Sequence, residues 1–177
     1  MKQKSIILID GSNFYFKLKD LKLHNLLKFN FHKFTKFLAG DAQITGITYY
    51  IGRIRTDGSQ KSLKMFKNQQ KLLSALKKHN IRYSFGYLLK SDGVFHEKGV
   101  DVHMAVDILV TAYENLADRI IIVSSDTDLL PAVKKAQEKK KTVEYVGFSH
   151  QPSLAMISKC KESRLLKKED LVKFCQK

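Results

Sequence analysis

The chain has 177 residues, 44% of them hydrophobic, which suits one globular domain with a buried core and excludes a disordered, low-complexity chain. Lysine and arginine number 32 against 17 aspartate and glutamate residues, so the formal net charge is +15. This charge favours a polyanionic partner, which is more often nucleic acid than an anionic membrane. The alternative is a lysine-rich surface that is merely solvated.

The N-terminal segment and the cysteines indicate the cellular compartment that we expect for the protein. The apolar run from Ile6 to Ile9 is too short for a signal sequence or a membrane-spanning helix. Cys160 and Cys175 are the only cysteines, and they do not form a Cys-x-x-Cys pair. We therefore expect a cytoplasmic protein with reduced thiols and no membrane partner. The sequence is compatible with a homo-oligomer as well as with a monomer.

The first half of the chain predicts three strands and three helices. Apolar runs predict strands at 5–9, 44–51 and 81–89, and the first run is nearly continuous, as in a strand buried on both faces. Apolar residues at helical spacing predict helices at about 13–23, 31–38 and 60–79. A turn is predicted at 91–93, and a basic loop at 52–59.

The second half continues the alternation of strands and helices. Helices are predicted at about 100–114 and around Pro131, strands at 119–123 and 142–146, and short helical pieces after 153. This order predicts an α/β fold with three α/β/α layers and a mainly parallel central sheet of about five strands. We expect a single domain over 1–177, with the motif-bearing core at 5–150 and helical pieces at 151–177.

Acidic residues follow two of the strongest predicted strands. Asp10 follows the first strand, Asp126 and Asp128 follow the strand at 119–123, and Asp101 opens a helix that starts nearby. Ligands of an open α/β sheet bind beyond the carboxyl ends of its strands. Carboxylates gathered there repel one another unless a cation neutralises them, and hard oxygen ligands suit Mg²⁺ or Mn²⁺. An acidic notch in a basic protein favours a phosphodiester-cleaving enzyme that uses metal-activated water.

Each of these residues also has a structural interpretation. Asp10 can simply cap the next helix, and Asp128 can cap the helix that contains the proline. However, a shared site accounts for two such aspartates and an Asp-x-Asp pair at one sheet edge better than coincidence does. Asn13 either positions a water or phosphate, or only begins its helix. Asp107 is not expected to share a metal ion with Asp101, because it lies about 240° around the helix and roughly 9 Å along it from Asp101.

Basic and small polar residues near the same edge are the candidate nucleic-acid contacts. The loop at 52–59 contributes two arginines, the flanking helices contribute lysines, and the strand-end loops contribute hydroxyl groups. The alternative for the arginines is an ordinary basic loop. Four tyrosines, Tyr49, Tyr50, Tyr83 and Tyr87, lie on predicted strands; we expect most of them to be packed, with base stacking as the alternative. The candidate contacts are Ser12, Arg53, Arg55, Lys61, Lys64, Lys98, Ser125 and Thr127.

Three ordered blocks carry a family resemblance. They are Ile9-Asp10-Gly11-Ser12-Asn13, Glu97-Lys98-Gly99-Val100-Asp101, and Ser124-Ser125-Asp126-Thr127-Asp128-Leu129-Leu130-Pro131. Together they resemble the NYN domain family, in its LabA-like branch of the PIN-like nucleases. The resemblance implies a PIN-like three-layer fold and a Mg²⁺- or Mn²⁺-dependent ribonuclease site. Its acidic residues match Asp10, Asp101, Asp126 and Asp128, and its polar partner matches Asn13.

Two positions depart from that family pattern. Ser125 stands where the family usually has glycine, and there it could crowd the approach of the loop to a phosphate. Leu129 stands where phenylalanine is frequent, which is a mild apolar change.

Hydrolysis of RNA by metal-activated water is the resulting hypothesis. In it, Asp10, Asp126 and Asp128 hold the principal ion, and Asp101 completes the site or holds a second one. The first alternative is a catalytically weak RNA-binding regulatory module of the same fold, which binds RNA with steep salt dependence and leaves it uncut. A haloacid-dehalogenase-like or Toprim-like phosphohydrolase fits less well. The former needs threonine or valine where Leu130 stands, and the latter needs glutamate where Asp10 stands.

Overall fold

The computed structural model describes residues 2–91 and 94–175, and the side chains of all of these except 88–91 and 94–97. Asp92 and Gly93 of the predicted turn therefore lie outside the described residues, and so does the side chain of Glu97 from the second motif block. None of the described helices is long and apolar enough to cross a membrane.

Strands and helices alternate along the described chain. The strands are β1 (Lys4–Asp10), β2 (Gln43–Gly52), β3 (Arg82–Ser91), β4 (Val94–Lys98), β5 (Arg119–Val123), β6 (Thr142–Phe148) and β7 (Glu162–Leu166). The helices are α1 (Gly11–Asp20), α2 (Phe31–Ala39), α3 (Gln60–Lys78), α4 (Val100–Tyr113), α5 (Leu130–Glu138), α6 (Leu154–Lys159) and α7 (Lys168–Val172). Short 3-10 turns occur at Leu26–Lys28 and Thr127–Leu129.

Within residues 2–91 and 94–175 the strands form one sheet in the order β4-β3-β2-β1-β5-β6-β7. Six neighbouring strands are parallel, and β4 pairs antiparallel with β3. The predicted α/β class and mainly parallel sheet are confirmed. The predicted strand count of about five was too low, because β4 and β7 were not expected.

Both unexpected strands lie at edges of the sheet, where no continuous apolar run is needed. In β7 only Leu166 is buried, and the other residues are exposed or half-buried, so its sequence carries no strand signal. Arg164 of β7 instead forms an ion pair of 2.9 Å with Glu144, which is buried on β6 and also pairs with Arg119 of β5 at 2.6 Å. The segment predicted as helical pieces therefore also contributes a strand.

The central strand β1 is buried on both faces, which explains its continuous apolar sequence. Ile7 and Ile9 join a core formed with α1, α2, α3 and α7, whereas Ile6 and Leu8 join a second core formed with α4, α5 and α6. These two cores are the interfaces of a three-layer α/β/α sandwich.

The sheet topology brings the ends of β1 and β5 together. The chain builds outward from β1 through β2 and β3 on one side, and through β5, β6 and β7 on the other. Ile9 is paired with Val123, so Asp10 and Ser124 follow at the same level of the sheet. Such a reversal of strand order is the usual position of a ligand site in an open α/β sheet.

Candidate functional site

A cleft of about 400 Å³ opens at the carboxyl ends of the central strands. Its lining contains three of the predicted carboxylates, which come from three separate segments: Asp10 ends β1, Asp101 lies in the first turn of α4, and Asp126 follows β5. Asp10 is 8% exposed, and the other two are half-buried. The remaining lining residues are Lys98, Gly99, Val100 and Val102.

The Asp10 carboxylate holds two structural elements together. Its Oδ1 accepts a hydrogen bond from the backbone N–H of Asn13 at 2.9 Å, which caps α1. Its Oδ2 accepts a hydrogen bond from the Ser124 hydroxyl at 3.0 Å. The capping interpretation of Asp10 is therefore right, and it is compatible with a place in the cleft.

Gly11 allows α1 to begin directly at the end of β1. A Cβ atom at this position would lie 2.4 Å from Cε1 of Tyr49 and 2.5 Å from the carbonyl oxygen of Tyr50. No real Cβ tolerates such distances, so the close approach of α1 to β2 requires glycine. Helix α1 begins two residues before the predicted start.

Ser124 is a site residue that the sequence did not reveal. Its hydroxyl donates to Asp10 Oδ2 and accepts the backbone N–H of Asp126 at 3.2 Å, and the residue is 2% exposed. Two consecutive hydrogen bonds keep the Asp10 carboxylate within about 6 Å of the Asp126 amide. The signal that could have identified Ser124 is its position directly after β5, level with Asp10.

Asp126 and Asp128 have different environments. Oδ1 of Asp126 accepts the backbone N–H of Asp128 at 2.9 Å, so Asp126 caps the Thr127–Leu129 turn. The interpretation of Asp128 as the cap is therefore wrong, because its own amide is the capped group. The Asp128 side chain is exposed and is not among the residues that line the cleft.

Asn13 and Ser125 extend the hydrogen bonds around the cleft. Oδ1 of Asn13 accepts the backbone N–H of Ser125 at 3.3 Å. The Ser125 hydroxyl is 3.0 Å from the hydroxyl of buried Tyr145, which also accepts the backbone N–H of Ser153 at 3.0 Å. The Ser125 side chain is thus directed at β6, and Asn13 ties the start of α1 to the loop after β5.

The comparison with protein families identifies the family of the chain. The NYN domain family matches residues 4–166. The chain belongs to the NYN domain family. NYN domains are a PIN-like nuclease family, so this membership sets aside the haloacid-dehalogenase-like and Toprim-like alternatives. No curated protein and no solved structure matches the chain.

The match is longer than the resemblance seen in the motifs. The three motif blocks pointed to residues 5–150, whereas the family match continues through β7. The C-terminal segment without a recognisable motif is thus part of the NYN domain up to residue 166.

The basic residues predicted to contact nucleic acid line or border three separate pockets of the NYN domain or lie on its surface. Lys98 lines the cleft itself. Arg53 and Arg55 line a second cavity of about 190 Å³ next to β3. Lys64 borders a shallow depression along α3, and Lys61 is exposed in the first turn of that helix. Ser12, Ser125 and Thr127 lie in the segments that follow β1 and β5 but do not line the cleft.

The tyrosines divide into packed and exposed pairs. Tyr49 and Tyr50 are fully buried, whereas Tyr83 is 38% and Tyr87 64% exposed, so the expectation that most of the four are packed was wrong. The hydroxyl of Tyr50 donates a hydrogen bond to Asp107, and burial together with this bond raises the pKa of Tyr50. Asp107 accordingly has a structural partner and does not line the cleft.

The chemistry of the donor set fits a hard divalent cation. Among the side chains that the structure describes, no three from His, Cys, Asp or Glu lie close enough together to hold one ion. Mg²⁺ is, however, usually bound by one or two carboxylates, with water molecules as its other ligands. One or two of the three aspartates that line the open cleft, together with water molecules, would meet that requirement.

Proposed function

We propose that this NYN domain is a ribonuclease of the LabA-like branch that hydrolyses RNA phosphodiester bonds in the cleft at the ends of β1 and β5. The observation that carries the proposal is the convergence of Asp10, Asp101 and Asp126 on one cleft, from segments far apart in sequence. An acidic cleft in a chain with a net charge of +15 repels the substrate's phosphates locally while the whole protein attracts them. A bound cation neutralises the carboxylates and thereby removes the local repulsion.

We propose Mg²⁺ or Mn²⁺ as the cofactor, held directly by one or two of Asp10, Asp101 and Asp126 and through water molecules by the remaining carboxylates. When bound, such an ion supplies an activated water and positive charge opposite the charge that develops on the phosphate. Asp128 moves out of the principal set, because its side chain is exposed and does not line the cleft. It remains a candidate for a second ion.

The other residues of the site bind and orient. Lys98 lines the cleft and donates to a phosphate oxygen of the substrate. The backbone N–H groups in the first turn of α4 favour the same negative charge. Ser124 and Asn13 keep the ends of β1 and β5 in register, so that Asp10 and Asp126 face the same space.

The test is cleavage of labelled RNA by two single variants, Asp10→Asn and Asp126→Asn, in Mg²⁺, Mn²⁺ or EDTA, with DNA of the same sequence alongside. We expect the parent to cut RNA with either metal and not in EDTA, and both variants to lose cleavage. The substitutions should preserve folding, because an asparagine at position 10 can still accept from Asn13 and donate to Ser124. Asp20→Asn, at an aspartate 47% exposed near the end of α1, is the matched control and should cut normally.

A second function is favoured by one observation, the lack of three mutually close metal-binding side chains among the described residues. It is a regulatory RNA-binding domain that keeps the acidic cleft but cuts poorly. If the parent binds RNA with a steep salt dependence and yields no product in Mn²⁺, this function replaces the nuclease. Cleavage by both aspartate variants at the parental rate would refute the assignment of the site. The cytoplasmic location and single-domain organisation stay predictions.

A further inference from the structure

A small cavity lies on the β3 side of the cleft. It has a volume of about 190 Å³ and is lined by Arg53, Arg55, Phe85, Gly86 and Tyr87. Tyr87 is 64% exposed, and both arginines are exposed as well. An exposed aromatic ring and two arginines around one cavity combine a stacking surface with positive charge, which is the usual composition of a single-strand binding groove.

The arginine side of this cavity is held in place before any ligand binds. The guanidinium carbon of Arg53 lies 4.5 Å from the centre of the Phe85 ring, and the Arg53 backbone N–H donates to the Gly86 carbonyl at 3.2 Å. A guanidinium that stacks on an aromatic face keeps its edge available for hydrogen bonds to a phosphate. Among the described side chains, no carboxylate forms an ion pair with Arg53 or Arg55.

A buried glutamine of α3 fixes the loop that carries these arginines. Gln69, which is 4% exposed, donates from Nε2 to the Gly52 carbonyl at 2.8 Å. Its Oε1 accepts the backbone N–H of Ile54 at 3.0 Å. One side chain therefore holds the backbone on both sides of Arg53, which lowers the entropy that the loop loses when it binds a ligand.

The cavity and the catalytic cleft share a wall. In the β3–β4 hairpin Tyr87 is paired with Lys98, and Tyr87 lines the cavity while Lys98 lines the cleft. The contact is close: a Cβ atom on Gly86 would lie 2.8 Å from the Lys98 carbonyl oxygen and 2.6 Å from Cγ2 of Val100. The paired residues Tyr87 and Lys98 lie about one strand spacing, roughly 5 Å, apart, so the cavity and the cleft are neighbours. A polynucleotide that leaves the cleft over Lys98 reaches the cavity directly.

We propose that this cavity binds one nucleotide of single-stranded RNA beside the phosphodiester in the cleft, with its base stacked on Tyr87 and its phosphate held by Arg53 and Arg55. The position of the scissile bond in this arrangement rests on the proposed ribonuclease function. A base inside a duplex is covered on both faces by its neighbours and cannot stack on a tyrosine. The cavity therefore makes the domain selective for single-stranded RNA.

The test measures binding rather than cleavage. Fluorescence anisotropy in EDTA compares a short labelled single-stranded RNA with the duplex of the same sequence, for the parent, Tyr87→Ala and Tyr87→Phe. We expect Tyr87→Ala to weaken single-strand binding about 5- to 150-fold and to leave duplex binding unchanged, whereas Tyr87→Phe retains the parental affinity. Tyr113→Ala is the matched control, because Tyr113 is 59% exposed at the far end of α4.

Two further measurements report stacking and charge separately. A 2-aminopurine base in the single strand should lose fluorescence on binding to the parent and keep it with Tyr87→Ala. The pair of substitutions Arg53→Gln and Arg55→Gln should lower the salt slope of single-strand affinity by about 0.7 for each phosphate that the protein no longer neutralises. Lys134→Gln with Lys139→Gln, at exposed positions of α5 and its C-cap, removes equal charge and should leave the slope unchanged.

Three results would overturn this inference: no single-strand binding by the parent in EDTA, parental affinity in Tyr87→Ala, or equal loss of single-strand and duplex affinity in that variant. These results are independent of the proposed function. The latter is decided by cleavage in the parent and its loss in Asp10→Asn.

Discussion

Replacing Ser124 by alanine tests the hydrogen bonds that hold the cleft together, without changing its carboxylates. The substitution leaves Asp10, Asp101 and Asp126 unchanged but removes the hydroxyl that joins the Asp10 carboxylate to the Asp126 amide. The residue is 2% exposed, so water cannot easily take the place of the hydroxyl. We expect Ser124→Ala to lower both stability and RNA cleavage.

The size of the effect follows from the two hydrogen bonds that the substitution removes. The bond to the Asp10 carboxylate is charge-assisted and contributes about 1.5–3 kcal/mol, and the bond from the neutral amide about 0.5–1.5 kcal/mol. A loss of about 2–4.5 kcal/mol in the free energy of unfolding is therefore expected. For a chain of this length, each kcal/mol lowers Tm by roughly 2–4 °C. Cleavage should fall roughly 10- to 100-fold, as for other residues that orient metal-binding carboxylates.

Urea unfolding and RNA cleavage of the same preparations measure these effects. Ser158→Ala is the control, because Ser158 is exposed and its hydroxyl donates only to a carbonyl within its own helix. That variant should stay within about 0.5 kcal/mol of the parent and cut at the parental rate. If Ser124→Ala were as stable and as active as Ser158→Ala, the bridge between β1 and β5 would have no role in the site.

Two other predictions concern the packing around the site and the buried thiol. Gly11→Ala should lower the free energy of unfolding in urea by about 1–3 kcal/mol, because the new Cβ meets Tyr49 and the Tyr50 backbone. Gly46→Ala is the control and should lower it less, because its Cβ meets only the flexible end of Arg82 at 3.3 Å and Ile6 at ordinary contact distance. An equal loss in both variants would contradict the steric argument. Burial raises the pKa of the Cys160 thiol to about 11, so iodoacetamide at pH 8 should label it slowly in the folded protein and rapidly in urea. Because this pKa is higher in the folded state, the stability it contributes is present below the thiol's ordinary pKa and lost as the pH rises through about 11. Mass spectrometry of alkylated peptides checks the labelling, and equal rates with and without urea would show that Cys160 is accessible.

The sequence predicted the elements whose apolar residues form a continuous run or recur with a clear period. The strand at 119–123 was found with its observed bounds, and α2 and α3 were each predicted to within one residue at either end, because their apolar residues recur with a clear period. The aspartates at the ends of β1 and β5 were found for the same reason, since a strand that ends sharply marks the residue that follows it.

What the sequence missed depends on contacts between distant residues. Strand β7 has one buried residue and is placed by pairing with β6 and by the ion pair of Arg164 with Glu144. The choice of Asp126 over Asp128 as the cap depends on backbone geometry that a sequence motif does not encode. The role of Ser124 depends on the register between β1 and β5, which lie more than 100 residues apart.

This long separation affects how the cleft forms during synthesis. Asp10 is synthesised first, and its hydroxyl partner Ser124 and the third carboxylate, Asp126, follow more than 100 residues later. The Tyr145 hydroxyl that holds the loop beside them is completed later still, by the amide of Ser153. A partly synthesised domain therefore carries no assembled cleft, and the proposed RNA cleavage requires that the nearly complete domain folds as a unit.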